Sequence, residues 1–167
     1  LKSFFNELKN SYKIKFLEEH QPLGTVGGLS LHKKKLRKND LFLCNCDILI
    51  DIDFGEMYNF HLDNNNDITV VASTKNYEIP YGICHINKKG RLKKIEEKPR
   101  SKLFVNTGLY ILKPKILDLI PKNRLFHMTE LIEMAIMRKY KVAVYPIRDK
   151  DWIDTGQLSN YRMMNNI

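Results

Sequence analysis

The sequence predicts an α/β chain with a mainly parallel sheet, helices on its faces and a small antiparallel insertion. Three observations carry this. Strand-like apolar runs alternate with segments of helical period through most of the 167 residues, the order that builds parallel sheets. Two runs, residues 41–45 and 68–72, are continuously apolar, as in strands covered on both faces. Asn87-Lys88-Lys89-Gly90 lies between two short strand-like segments and reads as a hairpin turn.

In chain order, residues 1–8 place Phe4, Phe5 and Leu8 on one side of a helix. Residues 12–17 alternate apolar and Lys, the pattern of a half-buried strand. Residues 21–24 read as a loop, and Thr25 as the cap of a helix through 29–36. After the strand at 41–45, residues 52–61 have helical character and Asn64-Asn65-Asn66 is a turn. The strand at 68–72 precedes the hairpin, 82–86 and 92–96. Residues 104–112 form a strand stopped by Pro114, followed by a short helix over 115–120. Leu131, Ile132, Ala135 and Ile136 define a stronger helix over 129–138, with Glu130 and Glu133 toward its positive end. A strand at 142–147 and a closing helix at 157–164 complete the chain. With no repeat or linker, one domain over 1–167 is expected.

Composition narrows the class. Hydrophobic residues make up 43% and charged residues 28% of the chain, which excludes wholesale disorder. No apolar run approaches the ~20 residues that span a bilayer, and no secretory signal is visible, so no membrane partner is expected. The first residue is not Met, as expected of a chain that begins inside a longer polypeptide. The net charge of +9 suits an anionic partner. The densest basic run, residues 33–38, reads as a solvated helix end, and no nucleic-acid-binding signature accompanies it. Three cysteines, Cys44, Cys46 and Cys84, form no zinc spacing and point to buried free thiols in a reducing, cytoplasmic setting. Alternation would send Cys44 and Cys46 to one face.

Five segments carry polar groups suited to chemistry. Gly24, Thr25, Val26, Gly27 and Gly28 let backbone approach a ligand, or simply make a tight turn. Asp47 follows a buried strand, where ligands of α/β sheets sit, or caps a turn. Asp154 lies in Asp151-Trp152-Ile153-Asp154-Thr155-Gly156, as a metal ligand or a helix cap. Glu96-Glu97-Lys98-Pro99 pairs an acid with a cation at a strand end. Asn106 stands in an apolar strand two residues before Gly108, a ligand contact or a β-bulge.

Taken together and in order, Glu19-His20-Gln21-Pro22-Leu23-Gly24-Thr25-Val26-Gly27-Gly28-Leu29, Leu43-Cys44-Asn45-Cys46-Asp47, Pro80-Tyr81-Gly82, Glu96-Glu97-Lys98-Pro99, Val105-Asn106-Thr107-Gly108-Leu109-Tyr110 and the segment 151–156 resemble the sugar-1-phosphate nucleotidyltransferases. The motif style is similar to that of mannose-, glucosamine- or heptose-1-phosphate guanylyltransferases. The resemblance implies a Rossmann-like, glycosyltransferase-A-like fold. It also implies a reaction in which a sugar 1-phosphate oxygen attacks the α-phosphorus of a nucleoside triphosphate and pyrophosphate leaves.

By the same resemblance, Asp47 and Asp154 hold Mg²⁺, which takes few protein carboxylates. Lys98 is the cation on the sugar phosphate, and Asp47, Lys98 and Asp154 together form the catalytic group. Gly24, Thr25 and Gly27 lie along the nucleotide, while Tyr81, Gly82, Glu97 and Asn106 line the sugar pocket. Glu19 stands where relatives read the base. A carboxylate only accepts hydrogen bonds, which matches the paired N–H donors of guanine and favours GTP.

Two features depart from the pattern. The loop GxGTRL…PKP is absent, and Cys46 stands where Gly or Ala is usual. The expectation is a nucleotidyltransferase domain lacking its first strands and signature loop, with little activity alone. Such a piece exposes a sheet edge for self-association or a homo-oligomer. The alternative is a degenerate nucleotide-sugar-binding or regulatory module.

Overall fold

In the computed structural model, which describes residues 2–7 and 12–156, the chain runs α1 (Lys2–Glu7), α2 (Gly24–Gly27), a 3-10 turn (Gly28–His32), α3 (Lys33–Leu36), β1 (Leu41–Cys44), β2 (Ile48–Ile50), α4 (Phe54–Asp63), β3 (Ile68–Glu78), β4 (Ile83–Ile86), β5 (Leu92–Glu96), β6 (Arg100–Leu112), a 3-10 helix (Pro114–Leu119), α5 (Met128–Met137), β7 (Val142–Ile147), a 3-10 turn (Asp149–Asp151) and β8 (Trp152–Asp154). The main sheet has the order β1-β6-β3-β7. β6 is antiparallel to both β1 and β3, and β3 is parallel to β7. Three of the four strands therefore point one way. The odd strand lies between two of them because β3 and β6 are joined by the β4–β5 hairpin rather than by a crossover helix.

Helices cover both faces of the sheet. Ile68, Val70, Tyr110 and Leu112 pack against the 3-10 helix Pro114–Leu119 and against Leu131 and Ala135 of α5. On the other face Val71, Leu109, Ile111 and Ile147 pack on Met57 of α4. α4 starts where Asp53 accepts hydrogen bonds from the N–H groups of Gly55 (2.7 Å) and Glu56 (3.0 Å), satisfying two orphan donors of the first turn. α5 starts where Glu130 accepts from the His127 N–H at 2.8 Å. Met128, Leu131 and Ala135 then recur at helical spacing on its buried side.

Several sequence expectations are revised. Residues 12–17 form no strand. They have no partner strand among the described residues, and Phe16 instead meets the Phe5 ring at 6.0 Å. Thr25 caps no helix of its own, since it lies inside α2 and the residue preceding that helix is Leu23. β1 is not covered on both faces. It is an edge strand, and its residues alternate between half-buried and exposed.

The cysteines are not buried either: Cys44, Cys46 and Cys84 are all exposed free thiols. Cys44 shares the open face of β1 with Phe42, while Leu41 and Leu43 face the core. β1 ends at Cys44, so Cys46 lies in the following turn, where strand alternation no longer applies. The closing helix expected over 157–164 lies outside the described residues. No described helix is long and apolar enough to cross a membrane.

Candidate functional site

The acid pair is built by a short antiparallel ribbon in which Ile48 faces Asp154 and Ile50 faces Trp152. Strand pairing here joins segments remote in sequence. The turn after β1 presents Asp47, and the end of β8 presents Asp154. Their link is tightened by Thr155, whose N–H and Oγ1 both donate to the Asp47 carbonyl, at 2.9 and 2.8 Å. Gly156 donates its N–H to Asp154 Oδ1 at 2.9 Å. A Cβ placed on Gly156 would lie 3.2 Å from Asp154 Oδ1 and 3.2 Å from Asp47 Oδ2. The two carboxylate oxygens are therefore no farther apart than twice that distance, beside one small residue.

Among the described residues no group of three or more His, Cys, Asp or Glu gathers as a metal site. The donor set is two hard carboxylate oxygens, which fits a Mg²⁺ that draws its other ligands from water and phosphate. Partial burial, then Cys46 and Asp47, push the Cys44 thiol above its ordinary value.

Asn106 is joined to this pair through Gly108. The turn residue Asn45 donates its N–H to the Gly108 carbonyl at 2.9 Å. A Cβ on Gly108, whose φ is +88°, would come within 2.7 Å of Asn45 Nδ2, so glycine is required there. Asn106 spends its amide locally: Nδ2 donates to the Tyr110 hydroxyl at 2.7 Å and Oδ1 accepts from the Gly108 N–H at 3.2 Å. The β3–β6 register shifts at this point, with Val70 facing Tyr110 and Ala72 facing Asn106. This is the β-bulge left open by the sequence.

The hairpin supplies a second group. A Cβ on Gly82 would meet Glu97 Oε2 at 2.9 Å, so these two are in contact. Tyr81 is 73% exposed. Lys98 adopts φ +44°, a left-handed conformation uncommon for a side chain of this size. It turns the chain from β5 toward β6.

The third group surrounds the start of α2. Glu19 Oε2 accepts from the Leu23 N–H at 2.9 Å, and Gly28 leaves room for the other oxygen, which would overlap a Cβ at 2.0 Å. The N–H groups of Val26 and Gly27 both donate to the Phe126 carbonyl at 3.2 Å. Side chains at Gly24 and Gly27 would strike the Phe126 and Arg124 carbonyls, each at 2.7 Å. Thr25 Oγ1 accepts the Met128 N–H at 2.8 Å and so serves the first turn of α5. On this face the glycine pattern is answered by the chain's own residues 124–128, a partner that nothing in the local sequence announces.

The sequence also missed Asn45 and Gly156 as the residues that set the geometry of the acid pair. Their signal was present, since each stands within two positions of a predicted acid. A cleft of about 730 Å³ opens beyond the other end of the ribbon, lined by Asp51, Glu56, Lys102, Tyr145 and Asp149 among others. It includes none of the predicted site residues.

Carboxylates gathered at strand ends beside a glycine lie where α/β sheets place their ligands. The chain belongs to the nucleotidyl transferase family, whose model matches residues 2–167. It is 37% identical over 120 residues to a mannose-1-phosphate guanyltransferase of Yarrowia lipolytica, covering 68% of this chain and 33% of the relative. It is 30% identical over 165 residues to the mannose-1-phosphate guanyltransferase of Debaryomyces hansenii, covering 93% and 44%. The chain thus spans between a third and under half of these relatives. The crystal structure of HddC from Yersinia pseudotuberculosis superposes with a TM-score of 0.67 at 22% identity, over 97% of this chain and 70% of HddC. Its complex with GMP-PN gives 0.63 at 23% identity, over the same shares. At that identity the likeness establishes the fold.

Proposed function

We propose that the chain takes part in guanylyl transfer from GTP to a sugar 1-phosphate, with Mg²⁺ held by Asp47 and Asp154. The observation that carries the reading is the convergence of Asp47 Oδ2 and Asp154 Oδ1 on Gly156. The names of the curated relatives, mannose-1-phosphate guanyltransferases, and the GMP-PN bound to the HddC neighbour support the choice of guanine nucleotide.

In this reading a sugar phosphate oxygen attacks the α-phosphorus, one P–O bond forms, and the bond to pyrophosphate breaks. The attacking oxygen is already ionised, so no residue acts as general base. Asp47 and Asp154 would hold a divalent ion, which would supply charge neutralisation for the two anions that must meet. Lys98 supports the sugar phosphate as a point charge. Glu97, beside Gly82, accepts sugar hydroxyls, and Tyr81 and Asn106 border the same pocket. Glu19 keeps one oxygen on the Leu23 N–H, so a single oxygen is left to accept from the base in place of the paired acceptance expected from the sequence, with Gly24, Thr25 and Gly27 alongside. The sequence GxGTRL…PKP does not occur in the 167 residues, so turnover by this chain alone is expected to be low.

The test is thermal stabilisation by GDP-mannose with and without Mg²⁺. A Mg²⁺-dependent rise in melting temperature is expected, and Asp47→Asn or Asp154→Asn should abolish the Mg²⁺-dependent part. Equal stabilisation in EDTA, or in both variants, would sink the metal assignment. Equal binding of UDP- and GDP-sugars would sink the role of Glu19.

A further inference from the structure

The basic run of residues 33–38 plays no part in the reading above. It lines a cavity of about 590 Å³ together with the end of the preceding 3-10 turn and the residue Lys122. Its walls include Ser30, Lys33, Lys34, Lys35, Arg37 and Lys122, and no Asp or Glu. The volume suits a small molecule.

The cationic character is structural as well as compositional. Lys33 reaches inward, donates to the Ile120 carbonyl at 2.6 Å, and ties α3 to the end of the 3-10 helix Pro114–Leu119. Partial burial, with Arg37 and Lys122 facing it, drives its ammonium below the usual lysine value. Arg37 is paired with Asp118. Lys34, Lys35 and Lys122 make no ion pair among the described residues. Lys34, Lys35 and Lys122, held together without compensating acids, cost free energy that a bound anion recovers.

We propose that this cavity is a binding site for a small anion carrying two or more phosphate groups, held by Lys33, Lys34, Lys35 and Lys122. A single monoanion leaves most of the cationic wall uncompensated, which is why the class is a polyphosphate. None of the lining residues belongs to the Asp47–Asp154 pair, the hairpin or the Glu19 group, so the site stands whether or not the proposed reaction does.

Calorimetric titration of the 167-residue chain with inorganic pyrophosphate, in EDTA, tests this. One saturable site is expected, at least ten-fold weaker in the Lys34→Glu/Lys122→Glu double variant. Inorganic phosphate is expected to bind at least ten-fold more weakly than pyrophosphate. Unchanged affinity in the double variant would overturn the proposal. Loss in Lys98→Ala with retention in the double variant would also overturn it, placing the anion at the transfer site. So would duplex DNA binding that pyrophosphate fails to displace, which marks a nucleic-acid surface.

Discussion

β3 and β6 run through two very different environments. The first half of β3, from Ile68 to Ser73, is fully buried, while its last residues, Asn76, Tyr77 and Glu78, are exposed; β6 mirrors it, exposed from Arg100 to Phe104 and buried from Thr107 to Leu112. The same backbone ladder thus joins a helix-covered core to an arm that carries the β4–β5 hairpin in solvent. The changeover falls at the bulge around Thr107 and Gly108. Hydrogen-bonded pairing alone makes a strand pair, but only apolar cover makes it a core. The predicted groups divide along the same line, with Tyr81, Gly82, Glu97 and Lys98 on the arm and the acid pair at the rim of the core.

The contrast is sharpest in side-chain truncation. Leu131→Ala or Ile111→Ala, at buried positions on opposite faces of the sheet, should cost ~2–5 kcal/mol in urea unfolding. Ile95→Ala and Leu103→Ala, both about half-exposed, should stay within ~0.5 kcal/mol. Similar losses at the two sets would show that the arm is packed in solution and would break the comparison.

Glycine substitution probes the boundary. Gly108→Ala meets both a positive φ and Asn45 at 2.7 Å, whereas Gly90, at φ +76° in the hairpin, has nothing within 4 Å. The first should cost ~2 kcal/mol or more and the second ~1 kcal/mol. Gly108→Ala should also weaken Mg²⁺-dependent ligand binding if the bulge positions Asn45 and the neighbouring Asp47.

Acid sensitivity should follow the same division. Burial opposes ionisation of Asp67, but Lys115 at 2.7 Å, the Lys141 N–H at 3.0 Å and Lys113 at 3.9 Å outweigh it and hold the carboxyl below its usual value. A depressed folded-state value means stability that is present above the ordinary carboxylate pKa and lost as pH falls through the lower folded value. Asp67→Asn should therefore flatten the stability profile below about pH 4. Glu96 is also held low, by Lys94 and His85, but on the exposed arm, so Glu96→Gln should leave the profile nearly unchanged. Acid unfolding curves of the two variants decide this.

The smallest effect is in exchange. Amide protons of residues 100–105 are expected to exchange faster than those of 109–112 in the same strand, because the arm lacks the apolar cover that makes opening costly. Uniform protection along β6 would contradict the picture.

Much of the fold was legible in local pattern. The hairpin, α4, α5, β3 and β7 were readable because their periodicity and turn residues act within one element. The strand expected at 12–17 fails because alternation describes a strand's faces and is silent about whether a partner exists. The thiols fail for a related reason: β1 looks central from its apolar run, but its place at the edge leaves Phe42 only partly covered and Cys44 exposed.

For the candidate site, the sequence by itself supplied the residue types and their order, from Glu19 to Asp154, because motif chemistry is written residue by residue. Only the tertiary structure decided their company. Strand pairing set Asp154 beside the turn that carries Asp47, the 124–128 segment took the N–H groups of Val26 and Gly27, and a bulge consumed the amide of Asn106. These are contacts between segments remote in the chain, and their partners are chosen by how the sheet closes, which no local window contains.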